Sequence, residues 1–61
     1  MKLFNAATDT FIGDYPGTAT EALDAYARDT GWDSWAQWCA EGRAPVGELA
    51  LVDGAGKAVY L

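Results

Sequence analysis

The stretch TATEALDAYARDTG, residues 18–31, decides the fold. Thr18 and Glu21 stand at the capping-box spacing, where the threonine hydroxyl accepts from the third helical N–H and the glutamate returns to the cap. A helix is predicted through Glu21–Thr30, with Gly31 as the left-handed stop. Ala22, Leu23, Tyr26, Ala27 and Thr30 recur at helical spacing on one face, while Glu21, Asp24, Arg28 and Asp29 fall elsewhere and are expected in water. A helix with one apolar side needs a surface to lie on.

That surface is legible on both sides. Before the helix, Lys2–Ala6 and Thr10–Tyr15 read as two strands, because Thr10-Phe11-Ile12 is β-branched and aromatic. Ala7-Thr8-Asp9 would close them into a hairpin, and Asp14-Tyr15-Pro16-Gly17 ends the second strand. After the helix, Asp33 or Ser34 caps a shorter helix over Trp35–Glu41, which Gly42 stops. Val46–Val52 and Lys57–Leu61 then flank Asp53-Gly54-Ala55-Gly56 as a second hairpin. The order β-β-α-α-β-β predicts a single α+β domain over residues 1–61. Its simplest form is a small antiparallel sheet with two short helices packed on one face.

Size sets a constraint. A 61-residue chain buries only about 60% of the surface exposed by its unfolded form. Cys39 is the single cysteine and histidine is absent, so neither an internal disulfide nor a zinc centre is expected. Three Trp, three Tyr and two Phe are left to supply the buried area. Trp35 and Trp38 are assigned to the core, Cys39 to a buried thiol beside them, and Trp32 to a partly exposed position after Gly31.

The same inventory argues against catalysis. A cysteine nucleophile needs a base, and no histidine is there to supply one. Ser34 reads as a helix-start residue, and Gly54-Ala55-Gly56 precedes no helix that would make it a phosphate cradle. A cleft able to hold a substrate is hard to build in so short a chain. No catalytic residue, cofactor or metal is predicted. The unpaired cysteine and the absence of an apolar leader point to the cytoplasm.

Nine acids against four bases make the net charge −5, which disfavours direct contact with nucleic acid or an anionic membrane. Residues 9–33 hold six acids (Asp9, Asp14, Glu21, Asp24, Asp29 and Asp33) against Arg28 alone, so this stretch carries the whole excess. Carboxylates on neighbouring helical turns are roughly 5–6 Å apart at Cβ, of the order of the phosphate spacing along a nucleic-acid strand. The opposing interpretation is a solvated helix face, in which Glu21 serves the cap, Asp33 caps the next helix and Asp24 pairs with Arg28.

Read with the acidic chain around it, TEALDAYARDTGWDSWAQW, residues 20–38, resembles small proteins encoded by phages and mobile elements. Within that group the chain resembles the anti-CRISPR inhibitors, above all those directed against type I-C systems. The likeness is one of size, acidity and texture over the full length, with no shared motif. It implies inhibition of an RNA-guided surveillance complex in a host bacterium, with acidic residues occupying a basic surface that takes DNA. The charge distribution, not the resemblance, nominates the contacts: Asp14, Glu21, Asp24, Asp29 and Asp33, with Trp32 as an apolar anchor. The protein is expected to act as a monomer on a basic DNA-binding surface of an effector subunit. The alternative is a regulatory or accessory module, antitoxin-like, that binds through its Trp-rich helix and the sheet edge.

Overall fold

Thr18 caps the first helix as its spacing requires. The Glu21 N–H donates to Thr18 Oγ1 at 3.3 Å, and the Thr18 N–H donates to Glu21 Oε1 at 3.0 Å. The computed structural model that shows this describes residues 1–61. Its elements, in order, are β1 (Lys2–Asn5), β2 (Thr10–Asp14), α1 (Ala19–Asp29), α2 (Trp35–Ala40), β3 (Leu49–Val52) and β4 (Ala58–Tyr60). The four strands form one antiparallel sheet in the order β2-β1-β3-β4. The α+β architecture predicted from the residues is the one observed. No helix is long and apolar enough to cross a membrane.

The two hairpins close by side-chain chemistry. In the first, Asn5 Oδ1 accepts from the N–H groups of Ala7 and Thr8 at 3.0 and 3.1 Å, and Asp9 takes a left-handed φ of 54°. An Asx turn thus does what an Asn-Gly pair would do elsewhere. In the second, Asp53 Oδ1 accepts from Ala55 and Lys57, each at 2.9 Å. β3 is shorter than the predicted Val46–Val52. Glu48 N–H instead donates to Pro45 O at 3.2 Å, and Gly47 sits at φ +89°, so this segment turns before it extends.

Pairing decides which residues share a face. Leu3 opposes Leu51, and Asn5 opposes Leu49, so Leu3, Leu49 and Leu51 point to one side of β1 and β3. These leucines are at most 1% exposed and form the core with Ala22 and Leu23 of α1. Burying each leucine contributes about 1.5–3 kcal/mol. Tyr26 and Trp35 pack on the edge of the same cluster, which places both helices over this face.

The helices meet through rings. Trp38, 9% exposed, is the hub: Tyr26 and Trp35 lie 5.6 Å from it centroid to centroid, and Trp32 stacks on it at 5.8 Å and 16°. Trp35 and Trp38 therefore pack inward as expected, and Trp32 is half-buried. Two expectations fail. Cys39 is exposed rather than buried, because the ring contacts of the six-residue α2 centre on Trp38 and leave its final turn uncovered. Thr30 is also exposed; it is the C-cap of α1, and its hydroxyl donates to Ala27 O at 2.9 Å.

Candidate functional site

Four of the six acids of the 9–33 stretch use their carboxylates locally. Glu21 belongs to the capping box; hydrogen bonds first from the Thr18 backbone and then from its side chain hold its carboxyl below the usual glutamate range. Asp24 does not pair with Arg28. Its Oδ1 accepts from the backbone N–H of Trp35 at 2.9 Å. Asp29 Oδ2 accepts from the Tyr15 hydroxyl at 2.8 Å. Asp14 lies 3.7 Å from the N-terminal ammonium. Asp33 is not the cap of α2: Ser34 Oγ accepts from Gln37 N–H at 3.0 Å, and the Asp33 N–H donates to Gln37 Oε1 at 2.8 Å.

Helical geometry fixes how these groups are arranged. Asp24 and Asp29 are five residues apart and so point about 140° apart around α1. Asp24 leans toward the start of α2, where Asp33 and Trp32 lie nearby in the chain. Asp29 leans the other way, toward Tyr15 and its neighbour Asp14. Glu21 and Arg28, seven apart, return to within about 20° of each other on the outer crest. Five of the six candidates thus form two groups on either flank of α1, with Glu21 and Arg28 on the crest between them, rather than one unbroken row.

No Lys or Arg side chain neutralises any of these carboxylates; the one ion pair within 4.0 Å is that of Asp14 with the N-terminus. Asp14, Glu21, Asp29 and Asp33 are exposed, and Asp24 is half-buried. On the Asp29 flank, burial, the hydrogen bond to Asp29 and the charges of Asp29 and Tyr26 push the Tyr15 phenol up to about 12. It stays protonated and donating at neutral pH.

The residues also build a surface that sequence reasoning did not assign. With both helices over the leucine face, the other face of the sheet is open. Phe11 opposes Phe4, Phe4 opposes Ala50, and Ala50 opposes Tyr60, so one row of side chains crosses all four strands. Phe11 and Tyr60 are 54% and 73% exposed, and the rings of Phe4 and Phe11 lie 5.2 Å apart. Phe4, Asp9, Ala50, Val52 and Tyr60 help line a cavity of about 300 Å³ on this face. A signal existed: Leu49-Ala50-Leu51-Val52 is apolar at every position, the pattern of a strand that is apolar toward both faces. No group of three or more His, Cys, Asp or Glu side chains gathers where a metal could be held.

Comparison with known proteins yields no relative: no family model, curated protein or solved structure matches the chain.

Proposed function

We propose that the chain is a non-enzymatic inhibitor that presents the carboxylates on the two flanks of α1 to a basic, nucleic-acid-binding surface. Together with the resemblance in size and acidity, this points to a type I CRISPR surveillance complex in the bacterial cytoplasm, kept from its target DNA. The observation that carries the reading is that no lysine or arginine side chain pairs with these carboxylates, Asp14 alone having a cationic neighbour in the N-terminal ammonium. Asp14, Glu21, Asp24, Asp29 and Asp33 have no Lys or Arg partner, although the chain contains four such residues. An excess of one sign over a surface steers association with an oppositely charged groove and makes it salt-sensitive.

The test must spare Asp24 and Asp29, whose carboxylates are also structural acceptors. Asp14→Lys combined with Asp33→Lys reverses charge on both flanks. Target-DNA binding by a purified type I-C complex, measured with and without the chain, should be blocked by the wild type and released by the double variant. Inhibition should also weaken as salt rises. Full inhibition by the double variant, with the circular-dichroism spectrum unchanged, would sink the reading.

A second reading, a small regulatory or accessory module, draws support from the exposed rings of Phe11 and Tyr60. The Trp-rich helix offers less to it, since its indoles pack on one another. Such binding would hold its affinity in high salt.

A further inference from the structure

The cavity on the open sheet face has a composition that restricts its occupant. It is lined by six apolar residues and one charged residue, Asp9. Ala50 is only 6% exposed although no helix covers it, and its register partners on either side are Phe4 and Tyr60. A methyl floor therefore lies between two aromatic walls. Asp9 stands at the end of the hairpin turn with a φ of 54°, and its carboxylate takes part in no hydrogen bond or ion pair within the chain.

Each simple ligand class can be weighed against this lining. A purely apolar group would cover the carboxylate without pairing it, which costs free energy. An anion would meet Asp9 on a chain of net charge −5. A long aliphatic stem ending in a cation answers both demands, with its stem on Val52 and Ala50 and its charge against Asp9. The faces of Phe4 and Tyr60 add cation–π attraction, which favours the planar guanidinium. The volume of about 300 Å³ lies at the lower end for ligand sites and suits one side chain better than a cofactor.

We propose that the open sheet face is a docking groove for an arginine side chain of a partner protein, paired with Asp9 and held between Phe4 and Tyr60. The groove lies on the face of the sheet opposite α1, so its occupation does not depend on how the acidic flanks are used.

Titration of the isotope-labelled protein with the capped peptide Ala-Arg-Ala, followed by amide chemical shifts, tests this. Saturable shifts are expected at Phe4, Asp9, Ala50 and Tyr60. The citrulline peptide, of equal shape but uncharged, should bind about tenfold more weakly, as expected when a charged pair is lost. Asp9→Asn keeps a residue that tolerates left-handed backbone. It should weaken the arginine peptide by a similar factor and leave the citrulline peptide unchanged. Tyr60→Leu, at an exposed position, should weaken arginine binding severalfold while the fold persists. Shifts confined to α1 and residues 29–33, equal affinities for the two peptides, or no saturable shift at millimolar peptide would each overturn the proposal.

Discussion

The carboxylate of Asp24, in the middle of α1, accepts a hydrogen bond from the backbone N–H of Trp35, the first residue of α2, at 2.9 Å. The opening N–H groups of a helix have no partner within it. Asp24 supplies one from a different element, so a residue with the look of a surface charge is a tether between the two helices.

Asp24→Ala should therefore destabilise the fold by about 1–2 kcal/mol, the cost of removing a charged acceptor from a half-buried donor. Asp24→Asn retains an acceptor oxygen and should recover most of that loss. Urea denaturation of the two variants measures the difference. Equal loss in both would mean that charge, not the hydrogen bond, matters at this position.

The start of α1 makes a second prediction. Gly17 has a φ of +93°, and a Cβ there would lie 2.8 Å from Glu21 Oε1. Gly17→Ala should displace the Glu21 side chain and open the capping box, on top of the strain of a left-handed alanine. Thr18→Ala removes the hydroxyl acceptor and should cost about 1 kcal/mol. Both variants should lower the thermal midpoint, with Gly17→Ala the more damaging.

Tyr15 ties stability to alkaline pH. Its pKa in the folded chain is raised to about 12 from the ordinary 10.0, first by burial and then by Asp29. The folded state thus favours the protonated phenol. The resulting stabilisation is complete below pH 10 and is lost as pH rises toward 12. Tyr15→Phe should flatten the fall in stability across that window. Phenolate absorbance should show one tyrosine of the wild type titrating late.

Trp38 is the centre of the ring cluster, and Trp38→Ala should cost about 3–5 kcal/mol. That is comparable with the whole stability of a chain this small, roughly 3–9 kcal/mol at 0.05–0.15 kcal/mol per residue. Far-ultraviolet circular dichroism should show the variant largely unfolded at room temperature. Trp32→Ala removes only a half-buried ring from the outside of the stack and should stay folded.

Cys39 offers a test of packing. Being exposed, it should react with a thiol reagent in the native state at a rate close to that in denaturant. Cys39→Ser should leave the denaturation midpoint almost unmoved. Strong native protection would mean that α2 lies closer to α1 than its ring contacts require.

The residues alone determined the element order and the start of α1, because helix caps, turns and periodic faces are written within about four positions of one another. Thr18 with Glu21, Ser34 ahead of Trp35, and Gly31 with a φ of +100° behave as their local chemistry dictates. Tertiary structure alone decided the rest. Leu3 meets Leu51, Asp24 meets Trp35, and Asp29 meets Tyr15 across gaps of 48, 11 and 14 positions. Those meetings depend on strand order and helix placement, and no short-range pattern specifies them. The open face shows the same division. Phe4, Ala50 and Tyr60 are each visibly apolar, but only the pairing of β1, β3 and β4 lines them up, and only the helices' choice of the leucine face leaves them uncovered.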